Sequence, residues 1–407
     1  MIVRRIHPTE YKRCLELWAT CFEYRMKRPD WTPEAILREV RANPQNRQEA
    51  HWDNLWAAFA EDGEMMSALA VIPWEARFDG HTVRMDGVAG AATLPEYRGL
   101  GAIHGCLEKA LSAMYADGAL LSYLYPFSTA FYREFGYAPG CERVVWRLAL
   151  SRIPKWEVRG RYAAIVRGRD AVAALRAVDE TRQARYNLLT VDGDLEYRWA
   201  RSAAPGAQRE YSYLYRGEGG APKGYVTWIP VEETGARALD VKRFAWADRE
   251  GLIGLLALLR RLSVDHTCAL LRLPCDARLE GLLSEWEPDA VRRTIEPRGM
   301  VRAVNAEALL RLARPRGAGA LNIALRDEHI PGNNGCFRVT FGRGENDVRR
   351  TDARPDVRMD IRAFSRAICG LDDGPDPEWQ QGVELFCDPA EARKLFYRKP
   401  CHIEQFF

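Results

Sequence analysis

The sequence predicts a mixed-sheet α/β protein of several domains, and three observations predict it. Residues 86–115 read as a small-residue strand, a glycine-rich loop and an amphipathic helix, and an apolar run of strand length follows at 118–125. Hairpins and a helix precede that unit, and strands followed by one helix and a further strand return between about 155 and 290. At 407 residues the chain is too long for one ordinary domain and suggests two or three, each with its own core.

In chain order, Ile2–Ile6 is a first strand. Thr9 is a candidate N-cap for a helix carrying Tyr11, Cys14, Leu15, Leu17, Trp18 and Phe22. A second helix is expected at Thr32-Pro33-Glu34, where proline takes the first helical position. Trp56–Ala60 and Glu64–Ile72 flank Glu61-Asp62-Gly63 as a hairpin, and Phe78–Val88 turns into another. The strand at about 87–93 then meets a turn at Leu94-Pro95-Glu96 and the loop Arg98-Gly99-Leu100-Gly101-Ala102-Ile103-His104-Gly105. Beyond it Ile103, Cys106, Leu107, Ala110, Leu111 and Met114 share one helix face. A strand that enters a helix through glycines offers backbone N–H groups and the positive end of the helix dipole to an anion, here read as a pyrophosphate. The loop has neither the Lys-Ser/Thr of a Walker A loop nor the spacing of GxGxxG.

Gly118–Tyr125 is closed by Pro126, Ser128–Tyr137 follows, and a strand is expected from Tyr137 to Leu150. Later strands are read at Tyr211–Tyr215, Gly224–Ile229, Ala238–Trp246 and Cys268–Leu273. Asp248 caps a helix bearing Leu252, Leu255, Leu256, Leu259 and Leu262. The connection Trp246–Gly251 lacks paired glycines, so this stretch is expected to be structural and not to hold a phosphate. From about Met300 the pattern gives a helix with Ala308, Leu309 and Leu312, then strands at 320–325, 336–341 and 357–361 around a turn at 329–335. A helix at 364–369, a helical stretch from Pro377 to Phe396 and the tail Cys401–Phe407 complete the chain.

Composition bounds the function. Lys and Arg number 59 against 56 Asp and Glu, so charge argues for neither a nucleic-acid nor a membrane partner. No apolar segment reaches the length of a membrane span, and the N-terminus lacks a signal-peptide core, which gives a cytoplasmic expectation. The ten cysteines and seven histidines are scattered without metal-ligand spacing, so reduced thiols and no metal are expected.

The loop at 98–105 resembles the acyl-CoA pyrophosphate loop of GNAT N-acetyltransferases, R/QxxGxG/A. Arg98 and Gly101 match it, and Ile103 stands where Gly or Ala is usual. The resemblance implies acetyl-CoA held by Ala91, Ala92, Thr93, Arg98, Gly99, Leu100, Gly101, Ala102, Ile103, His104, Phe127 and Ser128. Phe131-Tyr132-x-x-Phe135-Gly136-Tyr137 resembles the GNAT segment whose first Tyr lies beside the CoA sulfur, which makes Tyr132 the implied general acid. The last third is similar to a sterol-carrier-like domain. Tandem GNAT folds, the second without its CoA loop, with a sterol-carrier-like domain and a terminal Phe, together resemble the Eis (enhanced intracellular survival) family of aminoglycoside N-acetyltransferases. That resemblance implies domains at 1–150, 151–295 and 296–407, the Phe407 carboxylate as base on a tail returning to the active site, and a homo-oligomer, in that family a hexamer. An amine-binding mouth is expected at Asp30, Trp31, Asp86 and Glu404. The acceptor stays open among an aminoglycoside, a polyamine and protein lysines. A non-catalytic CoA- or lipid-sensing module and a protein-interaction scaffold are the other classes.

Overall fold

The structure, a computed structural model, describes residues 1–25, 32, 34–35, 38, 52–165, 169–191, 210–233, 235–283, 285, 287–288 and 290–405. The chain forms two compact units that interleave along the sequence. One comprises Met1–Cys141, Gly299–Lys399 and the residues from Ile403 onward, and the other Glu142–Arg298 with Pro400–His402.

The first unit begins with β1 (Ile2–Arg5), α1 (Tyr11–Cys21), β2 (Leu55–Phe59), β3 (Met65–Phe78) and β4 (His81–Thr93). It continues with α2 (Ala102–Ala116), β5 (Leu121–Leu124) and α3 (Thr129–Glu134). β3 is apolar at successive positions because both of its faces are covered. Ala57, Ala68 and Ala70 meet Tyr11, Cys14 and Leu17 of α1 on one face. Ala58, Leu69 and Val71 meet Cys106, Leu107, Ala110 and Leu111 of α2 on the other. Thr9 does not cap α1. A turn of 3-10 helix at Pro8–Glu10 precedes it, and the Glu10 carboxylate binds Arg4 at 2.8 Å and the His7 N–H at 2.7 Å instead. Of the expected second helix, Glu34, Ala35 and Arg38 are helical and the Thr32 hydroxyl accepts the Ala35 N–H at 3.3 Å; the rest lies outside the described residues.

The strand expected at 137–150 forms as β6 (Ala138–Ala149), and its residues 143–149 pair with the strand at 268–274 of the second unit. That unit then runs β7 (Arg161–Ala164), α4 (Arg169–Gln183), β8 (Tyr211–Arg216), β9 (Pro222–Glu233), β10 (Ala236–Trp246), α5 (Arg249–Arg261) and β11 (Cys268–Pro274). Asp248 caps α5 as expected, its carboxylate accepting the Gly251 N–H at 2.9 Å. Trp146, Leu239, Val241, Leu255 and Leu259 are buried in the core between sheet and helix.

A strand that the sequence did not reveal, β12 (Val291–Ala303), leads the chain back. Pro297 and Gly299 interrupt it and most of its first nine residues are partly or wholly exposed, so no strand pattern survives in the sequence. Its end, Met300–Ala303, lies antiparallel to Leu121–Leu124, so that within the first unit the strands run in the order β1-β2-β3-β4-β5-β12, in which only β4 and β5 are parallel. α6 (Ala306–Leu312) follows, then β13 (Gly319–Arg326), β14 (Gly335–Phe341), β15 (Asp347–Thr351), β16 (Val357–Asp360), α7 (Ile361–Cys369), β17 (Val383–Leu385) and α8 (Pro389–Leu395). These strands form a second sheet in the order β15-β14-β13-β16-β17. The helix expected from Pro377 to Phe396 is instead turns, the short β17 and α8, because Pro389 starts a new helix capped by Asp388. Phe337, Phe364 and Phe396 are fully buried in this part of the unit.

Burial pushes the hydroxyls of Tyr123 and Tyr137 above the ordinary phenol range, Tyr137 to about 12, and raises the Cys106 thiol to about 12. The unfolded chain releases these protons near pH 8.5 for a thiol and 10 for a phenol, whereas the folded chain retains them to higher pH. Their contribution to stability is therefore complete below those values and lost as pH rises. The melting temperature is expected to hold between pH 7 and 8 and to fall steadily from about pH 9 upward. Calorimetry across that range checks it, and a constant or rising melting temperature contradicts it.

Candidate active site

The site is built where the first sheet opens. β4 and β5 pair in parallel from Met85–Leu121 to Val88–Leu124, and β4 then continues to Thr93 while the chain after β5 leaves the sheet at Tyr125. On its other side β4 slips register against β3, with Ala89 opposite Ala70 but Ala92 opposite Ala68, so Gly90 and Ala91 bulge out of the ladder. Gly90 has φ +60°, and a Cβ there would lie 2.9 Å from the Trp18 ring. Trp18 donates its indole N–H to the Gly90 carbonyl at 2.6 Å, which pins the bulge to α1. Glycine is required on both counts.

Beyond Thr93 comes the predicted anion loop. Arg98 donates from Nε to the Thr93 carbonyl at 3.4 Å, and Gly99 and Gly101 take left-handed φ values of +80° and +74°. Gly101 is the N-cap of α2, so the N–H groups of Ala102, Ile103 and His104 form the open first turn of a 15-residue helix. Leu100 projects outward, 61% exposed.

The second wall follows β5. Phe127 is 68% exposed, and Ser128 caps α3 by accepting the Phe131 N–H at 3.3 Å. The cap fixes the start of a six-residue helix and thereby the direction of Tyr132. Tyr132 is 3% exposed and lies edge-on to Phe127, Phe131 and Tyr137 at centroid distances of 5.3, 5.1 and 6.1 Å. Burial pushes its hydroxyl well above the ordinary phenol range, with the neighbouring Tyr137 adding to the rise. His104 packs on Phe135 at 4.5 Å and so couples the first turn of α2 to the end of α3.

On the α1 side the bulge opens into a recess of about 160 Å³ lined by Trp18, Phe22, Tyr24, Ala70, Ile72, Ala89 and Gly90. The sequence reading placed Trp18 and Phe22 only among the residues carried by the first helix. Their role as recess walls had no local signal, since it depends on the distant bulge at Gly90.

The structure thus brings Ala91, Ala92, Thr93, the loop 98–104, Phe127, Ser128 and Tyr132 into one unit around the opened sheet. Asp86 does not join an amine-binding mouth: its side chain is fully buried and bound to Arg84 at 2.8 and 3.0 Å. Desolvation raises its pKa and the Arg84 guanidinium opposes that rise, so Asp86 is a structural partner of Arg84. Glu404 is exposed on the tail. The next residue, Gln405, accepts a hydrogen bond at its carbonyl from the Tyr125 hydroxyl, at the point where β5 leaves the sheet. Asp30, Trp31 and Phe407 lie outside the described residues. Among the described residues no cluster of His, Cys, Asp or Glu suits a metal ion, and no helix is long and apolar enough to cross a membrane.

Comparison with known proteins agrees with this geometry. Family models described as acetyltransferase (GNAT) domains match residues 2–140 and 195–303, and a sterol carrier protein domain matches 303–400. No curated protein matches the sequence. A crystal structure of a GCN5-related N-acetyltransferase from Anabaena variabilis superposes with a TM-score of 0.83 at 16% identity, covering 100% of both chains. A probable N-acyltransferase from Enterococcus faecalis gives 0.81 at 17%, covering 100% of this chain and 99% of that one. Eis1 from Mycobacterium abscessus gives 0.80 at 19%, again over 100% of both. The fold is therefore two GNAT domains and a sterol-carrier domain, and the chain is an N-acetyltransferase.

The loop yields a direct test. A Cβ at Gly101 meets nothing within 4 Å, so Gly101→Ala introduces backbone strain without a clash. Strain of about 1–2 kcal/mol in a left-handed residue distorts the first turn of α2. Acetyl-CoA affinity is expected to fall about tenfold or more in titration calorimetry. Unchanged affinity removes the loop from the binding site.

Proposed function

Taking the chain as an N-acetyltransferase built from GNAT domains, we propose that it transfers the acetyl group of acetyl-CoA directly to primary amines of a polyamine-like acceptor. An aminoglycoside, acetylated at several positions as in the Eis family it resembles, is the first candidate. In this reading Tyr132 is the general acid and the Phe407 carboxylate the base, and the assembly is a cytoplasmic homo-oligomer of the Eis kind. The single observation that carries it is the position of Tyr132, buried on a capped helix in one apolar cluster with Val88 and Ala91 of β4 and with Ala102 and Ile103 at the start of α2.

The chemistry follows from these parts. The amine nitrogen forms a bond to the thioester carbon, the C–S bond breaks, and the proton lost by the amine must leave while the thiolate must gain one. The backbone around the bulge, with the first turn of α2, supplies dipoles for the phosphates and the thioester oxygen. At reference values of about 10 and 8.5, phenol-to-thiolate transfer is uphill by about 2 kcal/mol. Burial raises the Tyr132 phenol, and the same dry walls would raise the thiol of CoA, so the match is preserved.

The base is supported by the tail. The hydrogen bond from the Tyr125 hydroxyl to the Gln405 carbonyl supports this reading, because Tyr125 is the residue at which the chain leaves β5. An α-carboxylate near 3.5 is a poor match for an ammonium near 10, by roughly 9 kcal/mol. Its contribution is therefore to orient and partly neutralise the ammonium and to pass its proton on to water. The aromatic walls at Trp18, Phe22 and Tyr24 suit a cation or its alkyl arm. A lysine side chain and spermidine satisfy the same description and are the alternative acceptors.

Thiol release from acetyl-CoA in the presence of an aminoglycoside, spermidine or a lysine peptide tests this reading. Tyr132→Phe is expected to lower kcat by about 10²- to 10⁴-fold with acetyl-CoA binding retained. A few residues added after Phe407 should lower kcat comparably. Full turnover by the extended chain removes the terminal carboxylate, and full turnover by Tyr132→Phe removes the general acid.

A further inference from the structure

We propose that Arg302 and Asp327 form a positioning pair that fixes Tyr132, making the sterol-carrier domain a working part of the acetyl-transfer site. The inference rests on Tyr132 as general acid. Arg302, near the end of β12, is fully buried opposite Ser122 of β5. Its guanidinium donates from Nε to the Phe135 carbonyl at 2.7 Å, from Nη1 to the Ala303 carbonyl at 2.8 Å and from Nη2 to Asp327 Oδ1 at 2.7 Å. Phe135 ends α3: its N–H donates to the Tyr132 carbonyl at 3.1 Å, and the Tyr137 N–H reaches that same carbonyl at 3.2 Å. One rigid fork thus ties the turn that closes on Tyr132 to a carboxylate of the sterol-carrier domain.

The carboxylate is itself immobilised. Asp327 is 3% exposed, and Oδ1 also accepts the N–H groups of His329 at 3.0 Å and Ile330 at 3.2 Å. Oδ2 accepts from Asn333 Nδ2 at 2.8 Å, and Asn333 in turn accepts the Ala306 N–H at 2.9 Å. Two buried charges with this many donors are costly to desolvate, and apolar residues of equal volume would often stabilise as well or better. What the ion pair supplies and apolar packing cannot is direction: five donors in a plane set three acceptors at fixed angles. The neighbouring geometry agrees, since a Cβ on Gly136 would come within 3.1 Å of Arg302 Nε.

Arg302→Lys keeps the charge but cannot span the three acceptors, and Asp327→Asn keeps the shape while removing the charge. Ser365→Ala is the control: the Ser365 hydroxyl accepts the Ala303 N–H at 2.8 Å on the same strand without touching the Phe135 carbonyl. In thiol-release kinetics both test variants are expected to lose about ten- to a hundredfold in kcat. Their KM for acetyl-CoA should stay within about threefold of the parent, and Ser365→Ala should keep the parental kcat. In a Tyr132→Phe background the same substitutions should cost no more than about twofold, because an absent hydroxyl cannot be misplaced. Equal losses in both backgrounds, or parental kcat in Arg302→Lys, overturn the inference while leaving Tyr132 as the acid. Parental kcat in Tyr132→Phe alone defeats the general-acid reading and this inference with it. If Arg302→Lys does not fold, Asp327→Asn carries the same comparison.

Discussion

The bulge at Gly90 is the constraint on which the site depends. A sheet satisfies its backbone by pairing every strand, and a fully paired sheet has no polar backbone to offer a ligand. Here the parallel pair β4–β5 ends at Val88 and Leu124, and the slip against β3 turns Gly90 and Ala91 out of the other ladder. The indole of Trp18 then occupies the space a side chain at position 90 would need. Loop, helix start, recess and Tyr132 are all arranged around that one interruption.

An opened sheet needs support beyond the opening, and the chain supplies it from a distance. Met300–Ala303 covers the free side of β5, while residues 143–149, which follow the first lobe in sequence, pair with β11 in the second unit. The first unit therefore cannot be assembled from an uninterrupted N-terminal segment. Its sheet is completed only after the chain has passed through the second unit, and the strand that completes it leads directly into the sterol-carrier domain. That connectivity gives the additional domains a structural reason to exist that is independent of any lipid or second substrate.

Local chemistry explains what was legible in the sequence. The hairpin through Asp79-Gly80, the glycine-rich loop, the Asp248 cap and the Leu face of α5 are each set by residues a few positions apart, and they fold as read. β12 was not legible because its pairing partners lie far away in sequence and its own residues alternate charge with Pro297 and Gly299. The burial of Asp86 was not legible for the same reason. An acidic residue on a strand invites a surface role, and only the fold shows that Asp86 is fully buried and held by Arg84, whose own side chain stays partly exposed. Trp18 was read correctly as a helix-face aromatic, but its function comes from a glycine 72 positions away.

The same dry interior governs both the stability and the chemistry of this site. Tyr132 and Tyr137 are raised by loss of water, and Tyr137 is partly relieved by its hydrogen bond to Ser122 and by the charge of Arg302. A water-filled cleft would leave a phenol at its ordinary value but would also hydrate the amine and the departing thiolate, which weakens every dipole aimed at them. Closing the site therefore disfavours the charged form of each isolated group and strengthens the interactions between them. The arrangement works only if the groups are held at fixed distances, since misplacement in a low-dielectric site loses the interaction while the desolvation cost remains. Rigid supports around Tyr132, a serine cap at the start of its helix and a buried guanidinium at its end, are what that balance demands.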